Sequence, residues 1–248
     1  MLDIKVTENY GGVEVKGDYA DFEQLYDSIF EIIGDGEDYP TLEKLRIQIL
    51  AFCYDLRHAK QGSREIELVE NNMNDEIMKW HSIITPINNV YYKFKYILTQ
   101  AIFVVYALNI FIDNYKYKKY KSSYYTKVVY DEEVNIVQEF QSKVIKAIVQ
   151  ILSEKNKKIF LKLFYDREFG TNRLVHQYLE LIDCRYLAKN KENRLKGLVN
   201  TTKRVIRYWE YQEYIDLEQE LMEYAEENQC DIDNIRIIGT EYPDEIDW

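Results

Sequence analysis

Residues 88–112 read NNVYYKFKYILTQAIFVVYALNIFI, and the change of period inside this stretch decides the fold class. From Val90 to Ile97 aromatic and apolar residues alternate around Lys93 and Lys95, the pattern of a pleated, half-buried strand. From Ala101 to Ile112 the apolar residues stop alternating and run for 12 positions, with Asn109 inside. A membrane span needs about 20 such residues, so this run predicts a buried helix over 100–114.

Upstream, Ile4-Lys5-Val6 and Val13-Glu14-Val15 alternate on either side of Asn9-Tyr10-Gly11-Gly12. This predicts a β-hairpin, with glycine available for positive φ in the turn. Asp18 or Asp21 can cap a following helix whose apolar stripe is Phe22, Leu25, Tyr26, Ile29 and Phe30, ending near Gly34. Pro40 can open the next helix, with Leu42, Leu45, Ile49, Phe52, Cys53 and Leu56 on one face and an end near His58 to Gly62. Arg64 to Val69 alternates weakly, as a strand. Residues 1–114 therefore read as an α+β unit: a small N-terminal antiparallel sheet with helices packed on one face.

Downstream, residues 115–130 (YKYKKYKSSYYTKVVY) change composition abruptly and are the best candidate boundary. Beyond them the apolar spacing is helical. One helix carries Val137, Phe140, Val144 and Ile148, a second Phe160 and Leu163, and a third Val175, Tyr178, Leu179 and Ile182. A long charged fourth is expected from Leu195 to Tyr224. The division expected is thus 1–114, a connector at 115–130, a mainly helical, bundle-like region at 131–234, and 235–248 as a terminal strand (Ile235-Arg236-Ile237-Ile238) with an acidic tail.

Composition narrows the function classes. The 248 residues are 46% hydrophobic and 30% charged, with 3 Pro and 9 Gly. That suits a helix-rich globular chain and excludes collagen-like, low-complexity and disulfide-scaffold proteins. Cys53, Cys184 and Cys230 have no CxxC spacing, so neither a zinc site nor a disulfide framework is expected. The N-terminal MLDIKVTENYGG lacks the basic and apolar regions of a secretory signal, and a cytoplasmic location is expected, without membrane association. The 28 Ile and 23 Tyr, residues with AT-rich codons, point to a bacterial or phage source.

Charge is laid out in blocks. Residues 1–45 hold 12 acids and 3 bases, and residues 209–248 hold 14 acids and a single base, Arg236. The whole chain carries a net charge of −11, so the middle is basic. Acidic ends either fold against that basic middle or offer a surface to a basic partner. Glu213, Asp216, Glu220, Glu223 and Glu227 step along one helix at three- and four-residue intervals and are the candidate acidic partner surface.

Catalytic signatures are missing. HExxH, GxSxG, a Walker-type loop and GxGxxG do not occur, and the three histidines (His58, His81 and His176) are scattered. No catalytic residue, metal site or cofactor is expected. The stretch from Asp55 to Glu65, DLRHAKQGSRE, gathers Arg57, His58, Gln61 and Arg64 around a helix end. These could bind an anion; they could equally complement the helix macrodipole and cap its carbonyls, with Gly62 as the stop. Lys116 to Lys127 interleaves tyrosines with lysines, which could stack bases and neutralise phosphates or snorkel over a core. The sequence pI near 4.9 speaks against nucleic acid.

The hairpin followed by GDYADFEQLYDSI (Gly17 to Ile29), then YDLRHAKQGSREIELVENNM (Tyr54 to Met73) and NNVYYKFKYILTQAIFVVYALNIFI (Asn88 to Ile112), resembles an uncharacterised bacterial family known only as a domain of unknown function. The resemblance covers roughly residues 2–113. It implies no activity and no catalytic residues, but it marks Arg57 to Glu65 as a shared feature and so draws attention to Arg57, His58, Gln61, Gly62 and Arg64.

The reading that follows is a non-enzymatic cytoplasmic protein–protein interaction protein, in concrete form an acidic inhibitor or an immunity or anti-defence protein whose partner carries a basic surface. The alternative is a phosphate- or nucleic-acid-acting enzyme, or a sensor of a small anionic ligand, that uses the Arg57–Arg64 segment. The Tyr-rich surface makes a homodimer a reasonable expectation as well.

Overall fold

The computed structural model describes residues 2–165, 174–237 and 240–248. Strands β1 (Asp3–Val6), β2 (Gly12–Gly17), β3 (Glu65–Glu70) and β4 (Asn88–Ile97) form a four-stranded antiparallel sheet in the order β1-β2-β4-β3. Helices α1 (Tyr19–Ile33) and α2 (Glu43–Lys60) cover one face of it, α2 entered through a 3-10 turn at Pro40–Leu42. The fold is α+β, with the sheet at the N-terminus and a mostly helical remainder.

The local signals work as the sequence implied. Asp18 caps α1 by accepting from the Asp21 amide at 2.8 Å, and the Asp21 carboxylate accepts in return from the Asp18 amide at 3.1 Å. Gly34 ends the helix at φ 61°, a conformation glycine adopts without steric cost. The turn glycines differ from expectation. Tyr10 takes the left-handed conformation, at φ 58°, and neither Gly11 nor Gly12 has positive φ. Their role is close approach: a Cβ on Gly12 would lie 2.3 Å from the Tyr96 carbonyl oxygen and 2.6 Å from the Trp248 ring.

Between sheet and helices the core is aromatic. Phe22 meets Phe94 edge-on at 5.9 Å, and Phe52 lies 5.7 Å from Phe94 and 5.2 Å from Tyr96. Burying each such ring contributes roughly 1.5–3 kcal/mol before entropy is counted. β4 passes directly into α4 (Leu98–Tyr120), which is buried on all sides over its first three turns, as an all-round apolar helix must be. α4 outruns the expected 100–114 because Tyr115 and Lys116 stay buried, so the first six connector residues are helical.

There follow α5 (Glu132–Ile151), α6 (Glu154–Leu163), α7 (Val175–Leu187), α8 (Lys191–Ile206) and α9 (Gln212–Glu227), of which α5, α7 and α8 pack on α4 and α6 packs on α8. α5 packs on α1 and β1, Phe140 reaches Phe52 at 5.0 Å, and the Lys143 ammonium donates to the Leu2 carbonyl at 2.7 Å. One hydrophobic cluster runs from Ile4 to Leu221 through both halves. The single long helix expected from Leu195 to Tyr224 is two helices. Arg207 leaves the helical conformation at φ −121°, and Tyr208 turns inward, its ring 5.0 Å from both Trp209 and Tyr214.

The C-terminal strand expected over 235–238 is not formed by Ile235 to Ile237, and Ile238 lies outside the described residues. The sheet has no need of it at β1, which α5 covers. The tail crosses the β1–β2 turn instead. The Asn9 amide donates to the Trp248 carbonyl at 3.0 Å. The buried Arg194 guanidinium donates to the carbonyls of Asn9 (3.0 Å), Leu187 (2.7 Å) and Asp247. Among the described residues no helix is long and apolar enough to cross a membrane.

Candidate interaction surface

β3 and β4 reach beyond the body of the sheet. β2 pairs only with Tyr92 to Ile97 of β4, whereas β3 pairs with Asn88 to Lys93. The outer part is therefore a two-stranded ribbon, closed at its tip by α3 (Asp75–His81). α3 was not legible in the sequence. It is a seven-residue helix with no buried residue, begun by the Asn74 side chain, which accepts from the Ile77 amide at 2.9 Å.

The register shows which side of this arm is unfinished. Phe94 and Tyr96 point to the face beneath α1 and α2, so Tyr92 and Val90 share it, as do their β3 partners Ile66 and Leu68. The apolar face of the sheet thus continues outward past its cover. Leu68 is 63% exposed and Trp80 is 85% exposed; Ile66, Ile83, Ile84, Ile87 and Val90 are exposed too. These exposed apolar residues, gathered on one arm, make it the candidate interaction surface.

The opposite face is a charge ladder. Asp3, Lys16, Lys93 and Glu65 stand in one row across the four strands. The Glu67 carboxylate bridges Lys16 at 2.9 Å and Lys93 at 3.1 Å. These hydrogen bonds, Lys16 first, hold it below the usual carboxylate range. Lys93 also lies 3.7 Å from Glu65. Toward the β3 side the lysines belong to the inner strands (Lys16 on β2, Lys93 and Lys95 on β4), and the edge strand β3 carries Glu65 and Glu67. β1 and β3 are the sheet's two edges; α5 packs on the first, and no helix packs on the second to the same degree.

The residues picked out by sequence fall at the base of the arm. Arg57 sits over the Tyr54 ring at 5.6 Å and the His58 ring lies 4.2 Å from it. Arg64 donates to Asp55 at 2.7 Å. Gln61 closes α2, its amide donating to the Arg57 carbonyl, and Gly62 follows at φ 78°. The helix end holds Arg57 and His58 together on Tyr54 and turns Arg64 back onto the helix. A cavity of about 590 Å³ opens between α4, α5 and α6, lined by Val105, Gln141, Ile145 and Phe164 among others; Arg57, His58, Gln61 and Arg64 do not line it.

The acidic helix is partly spoken for. Glu213 binds both Arg185 and Arg204, the latter at 2.7 Å. Burial opposes its ionisation, but the two guanidiniums outweigh burial and hold its carboxyl below the usual range. Asp216 accepts from Gln212 and Glu223 from Gln219, each at 2.8 Å. Glu220 and Glu227 are exposed on the same helix. In the Tyr/Lys segment, Lys116 donates to the Val128 carbonyl at 2.8 Å, Lys118 binds Asp38, and Lys119 binds Asp131 at 3.0 Å. Lys127 lies over the Tyr124 ring at 4.8 Å.

In sequence Arg173, His176, Glu180 and Asp183 share one helix face, which reads as a solvated polar face; for Asp183 the structure corrects that reading. On α7, His176 and Glu180 are at least partly exposed, but Asp183 is wholly buried; Arg173 lies outside the described residues. The Asp183 carboxyl accepts from Thr99, from Gln100 at 2.8 Å and from Tyr242 of the tail at 3.1 Å. Burial raises its pKa and these hydrogen bonds oppose the rise, leaving it at about 7. No local spacing could reveal this, because its partners lie 84, 83 and 59 residues away. Among the described residues, no cluster of three or more His, Cys, Asp or Glu is placed to hold a metal ion.

No curated protein and no solved structure matches the chain. A family model matches it over residues 2–248, far beyond the part that carried the resemblance and including the helical half. The chain belongs to that family, described as Domain of unknown function (DUF6904).

Proposed function

We propose that this chain is a non-enzymatic protein–protein interaction protein whose working surface is the β3–α3–β4 arm. The observation that carries this reading is the core-type face of the sheet, continued through Ile66, Leu68 and Val90 without a covering helix. A folded chain gains nothing from leaving such a face in water. Covering it returns roughly 25 cal/mol for each Å² of apolar surface removed. The net charge of −11 and the exposed acids of α9 add long-range attraction for a basic partner, which raises the rate of encounter more than the final affinity.

The test is co-purification from the source cells with the tagged full-length chain, beside the variant Trp80→Ala/Ile84→Asp. One stoichiometric protein held by the wild type and lost from the variant is the expected result. A partner held equally by both would show that the arm is not the surface.

A further inference from the structure

We propose that the bare β3 edge takes up an extended segment of the partner protein as a fifth strand, and that this segment alternates apolar with basic residues. The proposal rests on the arm being the interaction surface and names what the arm recognises. An edge strand presents unpaired backbone donors and acceptors, and addition of a peptide strand uses them directly. Side chains on the added strand would alternate between two very different faces. On the helix side they would lie beside Ile66 and Leu68, extending the apolar face. On the open side they would lie beside Glu65 and Glu67, where the charge ladder ends in acid. Opposite charges across neighbouring strands attract, and like charges directly opposed repel. Lysine or arginine therefore belongs at the second set of positions.

The same pattern disfavours a second copy of this chain as the occupant. Antiparallel pairing of β3 with itself keeps opposed residues on one face. Centred on residue 67, it sets Glu67 against Glu67. Centred on residue 68, it sets Ile66 against Glu70 and Glu67 against Val69. Each register with good overlap puts acid against acid or acid against hydrocarbon. An anionic membrane is disfavoured by Glu65, Glu67, Glu70, Asp75 and Glu76 on the same arm.

The test is selection of displayed random dodecapeptides on the full-length chain, followed by amide hydrogen exchange of the chain with a selected peptide. The expected peptides alternate Lys or Arg with Val, Ile or Leu, and the backbone amides of residues 65–70 exchange more slowly when they bind. Glu65→Lys/Glu67→Lys, checked for an unchanged circular dichroism spectrum, weakens the selected peptides at least about tenfold, since two attractions become repulsions. Selection on that variant yields acidic alternation instead. Peptides that need Trp80 and Ile84 but leave the β3 amides unprotected would overturn strand addition while keeping the arm as the surface. Peptides that leave the β3 amides unprotected and are also indifferent to Trp80 and Ile84 would overturn both. Protection of β3 that grows with protein concentration alone would give the edge to a second copy, and protection on phosphatidylserine vesicles would give the arm to a membrane; either outcome overturns the proposal.

Discussion

Asp183 shows what a single residue does when it is taken wholly out of water. A buried carboxylate without a cation is costly, and here three hydrogen-bond donors recover only part of the cost, so the proton stays on up to about pH 7. An unfolded chain releases it near the ordinary value of 3.8. Between those two values the native state binds more protons than the unfolded one, so this group's contribution to stability falls as pH rises, by up to about 1.4 kcal/mol per pH unit. Asp183→Asn removes the ionisation and keeps the shape. Thermal melts should then show a gain in Tm at about pH 8 and little change near pH 4; a variant less stable than wild type at both would show that the carboxylate itself is needed. Arg194 is the complementary case, a buried cation that joins three carbonyls from three separate segments.

At the scale of elements, the arm and the body should answer differently to substitution. Trp80 and Ile84 stand out in solvent, so Trp80→Ala and Ile84→Asp should shift stability by no more than about 0.5 kcal/mol. Phe94→Ala empties the space between Phe22 and Phe52 and should cost about 3–5 kcal/mol. Urea melts of the variants check both; a large loss from Ile84→Asp would mean that the tip packs on the body. Legibility follows the same division. The strands and α1, α2, α4 and α5 could be read because period-2 and period-3.6 patterns are written locally. α3 could not, because its seven residues include none that is fully buried and so carry no stripe. The break at Arg207 could not, because apolar spacing continues through it while Tyr208 turns inward for a tertiary contact. The unfinished face of β3 was invisible for a subtler reason. Ile66 and Leu68 alternate in the same way whether or not a helix lies over them, so sequence reveals the face but not its cover. The neighbouring Arg57–Arg64 turn is conspicuous in sequence for its charge, but in space Arg64 pairs with Asp55 and Arg57 and His58 rest on Tyr54.

For the whole molecule, the continuous core predicts a single cooperative transition. Calorimetry should give one peak with matching calorimetric and van't Hoff enthalpies; two resolved peaks would mean that the sheet region and the helical region melt as separate units. The tail sets the order of events during synthesis. The Trp248 carbonyl meets the Asn9 amide, and the Trp248 ring fills the space beside Gly12. A nascent chain therefore carries its first hairpin with one side open while more than two hundred further residues are made. Until the tail arrives, the Asn9 amide must be satisfied by solvent or by a chaperone. The hairpin thus leaves the ribosome long before the segment that completes its surroundings.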